Sequence, residues 1–91
     1  ELKVLAPATA IFYSSPSPSE PEYVVVGQKI SLTDTLCQLE AMKIFNPMKL
    51  EDFNLGGEVY DTGRNYQVTR VNISNGQQVN VGDLLFVVKP V

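Results

Sequence analysis

The sequence predicts an all-β domain built from two related halves. Three observations support this fold class: an internal repeat, short β-rich segments, and turn residues between them. Residues 27–36 reappear 49 positions later as residues 76–85. The identical pairs are Gly27/Gly76, Gln28/Gln77, Asp34/Asp83 and Leu36/Leu85, and the pairs Ile30/Val79 and Leu32/Val81 stay apolar. Two such halves around one core predict a flattened β-barrel or sandwich.

Length and composition indicate one domain over residues 1–91. Hydrophobic residues make up 44% of the chain and charged ones 19%, which is typical of a globular protein. The chain begins with Glu1 rather than Met. We therefore expect it to be the C-terminal fragment of a longer protein.

Charge and residue types exclude several function classes. Ten acidic and seven basic residues give a net charge of −3, which argues against a nucleic-acid partner. The sequence has no histidine and one cysteine, so zinc sites, histidine-based catalysis and an internal disulfide lack their residues. We expect Cys37 to be a small buried hydrophobe. No apolar stretch is long enough to span a membrane, so the expected location is cytoplasmic.

The first copy of the repeat is ambiguous when it is considered alone. Leu32, Leu36 and Leu39 have helical spacing, and residues 31–34 resemble a helix capping box. The second copy has Gly82 inside the same pattern and continues into the β-rich run 84–88. Both copies are therefore predicted to be strands.

Other segments complete the predicted order of strands and loops. Residues 23–26 and 71–74 are β-rich, and Asn75-Gly76 is a strong turn pair. Residues 14–22 contain three prolines, so we predict a projecting loop there. Residues 49–66 form a longer excursion, within which 57–59 and 66–68 compete as the next strand.

The sequence Glu40-Ala41-Met42-Lys43 follows a predicted strand, and Pro47 is expected to end the next one. This order places Lys43 at or near a hairpin tip. An exposed amine on a four-carbon stem, held by a tight turn, suits entry into another enzyme's active site. By the pseudo-symmetry of the repeat, the chain ends are expected to lie opposite this tip.

Three parts of the sequence resemble the biotin carboxyl carrier subunit of bacterial and plastid acetyl-CoA carboxylase. They are the segment 6–18 with Phe12-Tyr13 and Pro16-Ser17-Pro18, the segment 26–29, and the segment 34–43 that ends in Glu-Ala-Met-Lys. Residues 4–46 match closely and residues 71–89 match well. Lipoyl domains share the fold but have Asp-Lys-Ala at the tip, so the Met-Lys pair favours biotin.

The resemblance implies roles for the matching residues. Lys43 would form an amide with biotin that a biotin protein ligase attaches, Met42 and Glu40 would favour biotin over lipoate, and Ala41 would leave the turn uncrowded. Loop 14–22 would be the protruding thumb near the biotin. A biotin carboxylase would load the carboxyl group and a carboxyltransferase would pass it to acetyl-CoA, in fatty acid synthesis. The carrier itself would catalyse nothing, and it would be cytoplasmic, or plastidic in a plant.

Alternative interpretations stay open at this point. The chain could be an unmodified biotinyl-like module that only holds partners, or a carrier for a carboxylase of a different acyl-CoA. Met42 could fill core space, and Glu40 could be a solvated strand residue. A second Met-Lys pair, Met48-Lys49, follows a proline and lacks Glu-Ala, so modification is expected at Lys43 alone. Between Lys43 and Gly76 the chain is longer than the usual carrier, and the alignment of residues 47–70 is open.

Overall fold

The computed structural model describes residues 1–53 and 63–91. The described residues form eight strands and one short 3₁₀ helix. The strands are β1 (Leu2–Leu5), β2 (Ala10–Tyr13), β3 (Lys29–Ile30), β4 (Thr35–Ala41), β5 (Ile44–Lys49), β6 (Tyr66–Val71), β7 (Gln78–Val79) and β8 (Leu84–Pro90). The 3₁₀ helix spans Leu50–Asp52. It is the one helix in the described part of the chain, and it is far too short to cross a membrane.

The strands form two antiparallel sheets of four strands each. Sheet A has the order β1-β8-β6-β3, and sheet B has the order β5-β4-β2-β7. Each sheet takes strands from both ends of the sequence. The all-β prediction is confirmed, and the architecture is a flattened sandwich rather than a closed barrel.

The core lies between the inner faces of the two sheets. Phe12 of sheet B and Phe86 of sheet A are both fully buried, and their ring centroids are 5.7 Å apart with planes tilted by 50°. Tilted aromatic pairs at this separation are favourable beyond the area that they bury. Cys37 on β4 is also fully buried, as the sequence predicts.

The two copies of the repeat fold in the same way. Strands β3 and β4 of the first copy correspond, 49 positions on, to β7 and β8 of the second. The predicted choice of strand over helix for residues 31–45 is confirmed for β4 and β5. Gly27 and Gly76 have φ angles of 93° and 83°, a backbone conformation that a side chain would strain.

The identical polar residues of the repeat bind turn backbone. Asp34 Oδ2 accepts a hydrogen bond from Ser31 N at 2.8 Å, and Asp83 Oδ2 accepts one from Asn80 N at the same distance. Gln28 and Gln77 do the same for the preceding turns, accepting from the backbone N–H groups three residues earlier at 3.1 and 3.2 Å. The apparent capping box at residues 31–34 is therefore an aspartate-closed turn before a strand.

The halves differ by one insertion each. Leu39 and Val88 are equivalent positions of the repeat, 49 residues apart. Their pairing partners, Phe12 on β2 and Val68 on β6, are therefore equivalent too, but they are 56 residues apart. The first half therefore has seven extra residues between β2 and β3, within loop 14–22.

The second insertion follows from the equivalent strands β1 and β5. Lys3 pairs with Val87 as Pro47 pairs with Gln38, so these two strands are 44 residues apart instead of 49. The second half therefore has twelve extra residues between β5 and β6.

The twelve-residue insertion coincides with the predicted excursion over residues 49–66. Of the two competing strand candidates, residues 66–68 begin β6. The other, residues 57–59, lies outside the described residues.

Three strand predictions are wrong. Of the predicted strand over residues 71–74, only Val71 is in a strand, as the last residue of β6. Residues 23–26 form no strand, because their backbone is used in loop contacts: Tyr23 N donates to Ser14 O at 2.9 Å, and Gln28 N donates to Val25 O at 3.1 Å. Pro47 does not end β5, which continues to Lys49. Strand β5 is at the edge of sheet B, so it has a neighbouring strand on one side only. A proline, which has no backbone N–H group, is tolerated in such an edge strand.

Removing either turn aspartate is expected to destabilise the fold to a similar extent. Asp34→Ala and Asp83→Ala should each lower the free energy of unfolding by about 1 kcal/mol, because each leaves one turn N–H without its acceptor. The double variant should lose about the sum, since the two turns share no partner. Urea denaturation measures all three values. Glu22→Ala, which removes an exposed carboxylate from loop 14–22, serves as the control and should be neutral, and wild-type stability in both aspartate variants would refute the assigned role.

Candidate functional site

The turn between β4 and β5 consists of two residues, Met42 and Lys43. Ala41 and Ile44 form the last cross-strand pair before it. Both turn residues have positive φ angles, 54° for Met42 and 66° for Lys43, as a type I′ hairpin turn requires. Residues with a Cβ adopt this conformation at a cost of about 1 kcal/mol each. The six-residue pairing of β5 with β4 holds them there.

This tight turn fixes the backbone of Lys43 while its side chain stays exposed to solvent. Met42 is 93% exposed, so it fills no core space. Ala41 is exposed, and Glu40 is half-buried on the outer face of sheet B. The structure thus places the four residues singled out in the sequence together at one projecting tip.

The tip is flanked by exposed apolar side chains. Ile44 is 63% exposed and Phe45 is 54% exposed. Phe45 pairs with Glu40 across the hairpin, and its ring lies 5.6 Å from that of Tyr13 on β2. The hairpin therefore offers a lysine amine beside an apolar surface that the described residues leave uncovered.

A groove on the outer face of sheet B adjoins this surface. It has a volume of about 300 Å³. Its floor is formed by Tyr13, Gln38 and Phe45, one from each of three neighbouring strands. Loop 14–22 forms one wall, through Ser15, Pro16, Ser17 and Pro18.

Hydrogen bonds from both halves hold loop 14–22 over the groove. Asn75 Oδ1 accepts from Ser14 N at 2.9 Å and from Ser14 Oγ at 3.3 Å. At the other end of the loop, the hydroxyl of Tyr23 accepts from Gln38 Nε2 at 2.7 Å. Ser15 Oγ donates to Ser17 O at 2.9 Å within the loop itself. The loop is thus a braced element rather than a free linker.

Gln38, Phe45 and Asn75 are site residues that the sequence patterns do not predict. Alternation along β2 and β4 puts Tyr13 and Gln38 on the outer face, which is visible in the sequence once the strands are known. Their meeting with Phe45 and Asn75 depends on strand register, which no local pattern specifies.

The described residues contain no cluster of three or more histidine, cysteine or acidic side chains that could hold a metal ion. Cys37 is remote from solvent on the inner face of β4. Burial raises the pKa of its thiol from 9.0 to about 12. The chemistry available at the site is therefore that of an exposed amine and an adjoining groove.

No family model matches the chain. It is 31% identical over 83 residues to the biotin carboxyl carrier protein of acetyl-CoA carboxylase from Chlamydia trachomatis, covering 91% of this chain and 43% of that protein. It is 33% identical over 87 residues to the chloroplastic carrier protein 1 of Arabidopsis thaliana, covering 96% of this chain and 27% of that protein. A Nostoc carrier protein is 31% identical over 88 residues, with 97% and 42% covered. The chain thus spans less than half the length of these curated relatives.

Asn75→Ala is expected to loosen loop 14–22 without unfolding the domain. It removes the acceptor of both bonds from Ser14, and loss of about 1 kcal/mol should raise the open population of the loop about fivefold. Limited proteolysis within residues 14–22, compared with urea denaturation, measures the effect. Ser74→Ala in the same turn is the matched control, and equal cleavage rates in the two variants would contradict the bracing role.

Cys37 should resist alkylation in the folded protein and react quickly after unfolding. Its raised pKa keeps the thiol protonated at pH 8, and burial blocks access. Iodoacetamide labelling followed by mass spectrometry, with and without urea, measures this difference. Rapid labelling of the folded chain would contradict the buried placement.

The same raised pKa predicts how stability changes with pH. The contribution of Cys37 is fully present below pH 9.0 and is lost between pH 9.0 and about 12, because the unfolded thiol releases its proton first. Urea denaturation across this range should therefore show a shallower decline for Cys37→Ala than for the wild type.

Proposed function

Because the chain is a homologue of the biotin carboxyl carrier proteins of acetyl-CoA carboxylase, we propose that it carries biotin covalently on Lys43 and moves carboxyl groups between enzymes. The observation that carries this proposal is the hairpin tip. Lys43 stands there with an exposed amine on a fixed backbone. The carrier function is thus a property of one turn and the sheet that supports it.

The chemistry at Lys43 is amide formation. The ε-amine, in its neutral form, attacks the activated carboxyl group of biotin, the leaving group departs, and the nitrogen loses a proton. Bound biotin supplies a ureido nitrogen that accepts and releases a carboxyl group. The residues of this chain contribute position, because a rigid two-residue turn presents the amine the same way in each encounter.

Met42, Ala41 and Glu40 are proposed to mark the turn for a biotin protein ligase. Met42 is almost fully exposed, so its thioether is free to enter an apolar pocket of the ligase. Ala41 presents a small side chain two residues before the lysine, and Glu40 offers a carboxylate on the outer face three residues before it. All three residues lie within the tip that a ligase would contact in reaching Lys43.

The groove beside the hairpin fits the biotin ring system in chemical character. Tyr13 and Phe45 provide apolar area, while Gln38 and the serines of loop 14–22 provide hydrogen-bonding groups. We assign loop 14–22 as the thumb that this carrier type has near its biotin. The bracing by Asn75 and Tyr23 would keep the thumb in place during transfer.

Catalysis is assigned to the partners. A biotin carboxylase would load the carboxyl group and a carboxyltransferase would pass it on, most directly to acetyl-CoA as the names of the relatives indicate. Tethering raises the effective concentration of the carboxyl group at each active site. We place the protein in the cytoplasm, or in a plastid if its source is a plant.

The proposal is tested by co-expression with a biotin ligase and intact-mass measurement. The wild type and Lys49→Arg should each gain one biotin, and Lys43→Arg should gain none, because only Lys43 lies in the exposed turn. Lys49→Arg is the matched control, since Met48-Lys49 repeats the Met-Lys pair on strand β5. Labelling of Lys43→Arg would refute the site.

The same measurement separates the competing functions. A lipoyl group would give a different mass increase. A wild-type chain that stays unmodified here, and in a streptavidin blot of the protein from its source, would refute the carrier function in favour of an unmodified interaction module.

A further inference from the structure

The charges of the protein are divided unequally between its parts. The strands of sheet A contain four of the seven basic residues and none of the ten acidic ones. The rest of the chain therefore has three basic residues against ten acidic ones. The four basic residues in sheet A are Lys3, Lys29, Arg70 and Lys89.

All four are exposed on the outer face of sheet A. Lys89 follows the fully buried Val88, and Lys29 precedes the buried Ile30, so alternation points both away from the core. Arg70 and Lys3 both pair with Val87, the outward neighbour of Val88. We call these four side chains the cationic face. Within the described residues, none of the four makes an ion pair.

Two members of the cationic face, Lys3 and Arg70, line a recess whose floor includes the apolar side chains of Leu84 and Val87. The recess has a volume of about 370 Å³, and Lys3, Thr69, Arg70 and Val87 line it. Val87 is only 7% exposed, yet it is not part of the core between the sheets. Its burial therefore results from the side chains around it on the outer face. Glu1, at the edge of the recess, is the one acidic residue among its lining residues.

The pseudo-symmetry shows that the fold does not need these cations. Each has an equivalent in sheet B, defined by the same strand pairing. The equivalents of Lys3, Lys29, Arg70 and Lys89 are Pro47, Gln78, Tyr13 and Glu40, respectively. The same backbone framework thus carries positive charges at four positions of sheet A and at none of the equivalent positions of sheet B. The sheet without them is the one that holds the hairpin and the groove.

We propose that the cationic face is a docking surface for a carboxylate-rich surface on one of the enzymes that the carrier visits. This inference rests on the proposed carrier function for the identity of the partner. Charge complementarity selects an acidic protein surface, and the apolar recess gives one partner side chain a place to bind. Because the face belongs to sheet A, docking there leaves the Lys43 hairpin of sheet B free.

A protein partner fits better than a polyanion. Nucleic acid and anionic membranes present negative charge over a wide area, and they would also meet the acidic residues that the described part of the chain carries outside the strands of sheet A. A folded protein can place its carboxylates against four cations only. The cationic face is small, and it includes an apolar recess, as protein interfaces commonly do.

The test compares two double variants with the same change in net charge. Arg70→Gln/Lys89→Gln removes two positive charges from the cationic face, and Thr33→Glu/Val81→Glu adds two negative charges at exposed turn positions outside the strands of sheet A. The probes are the purified biotin carboxylase and carboxyltransferase from the same source, and binding is followed by biolayer interferometry at low and high NaCl concentrations.

At least one enzyme should bind the wild type and the turn variant with similar affinity, and binding should weaken with salt. The Arg70→Gln/Lys89→Gln variant should bind about tenfold more weakly and with less dependence on salt. Equal affinity of both variants, or no binding of either enzyme to the wild type, would overturn the docking surface. Tighter binding to a DNA duplex or to phosphatidylglycerol vesicles than to either enzyme would also overturn it.

The failure of this inference is distinguishable from that of the carrier function. Biotin attachment to Lys43 is read from intact mass and needs no charge on sheet A, so it should be unchanged in both double variants. A chain that gains biotin but docks through another surface refutes only the cationic face. A chain that gains none refutes the carrier function first.

Discussion

Phe12 packing against Phe86 between the sheets is the contact on which the rest of the arrangement depends. With Phe12 turned inward on β2, alternation turns Tyr13 outward, and strand pairing sets it opposite Gln38. A slip of one residue in this register would exchange the core residue for the groove residue. The same packing therefore stabilises the fold and determines which side chains surround the hairpin.

Duplication of one structural unit provides the framework, and the differences between the copies provide its specialised surfaces. The equivalent turns use the same aspartate and glutamine bonds, so these positions are explained by backbone geometry alone. Loop 14–22 and the charged residues of sheet A have no such structural explanation. They are among the positions at which the two halves diverge, and they mark the two surfaces to which we assign function.

Much of the fold was predictable because the repeat supplies two samples of one structure. Gly82 in the second copy identifies the first copy as a strand, against its helical spacing. The hairpin at Lys43 followed from the same comparison. Residues 23–26 were mispredicted because valine-rich composition does not show that loop contacts already occupy the backbone. The groove was not predictable, because strand register brings Phe45, Gln38 and Asn75 together from distant parts of the chain.

The bond from Ser14 to Asn75 joins residues 61 positions apart, whereas the β4–β5 hairpin closes over a two-residue turn. Local contacts form early in folding, and contacts of high sequence separation form late, because closing a long loop costs more entropy. The β4–β5 hairpin that carries Lys43 is therefore expected to form before loop 14–22 is held in place. A modifying enzyme that recognises only the hairpin would also act on an incompletely folded chain. One that also contacts loop 14–22 would act only on chains whose two halves have already packed together.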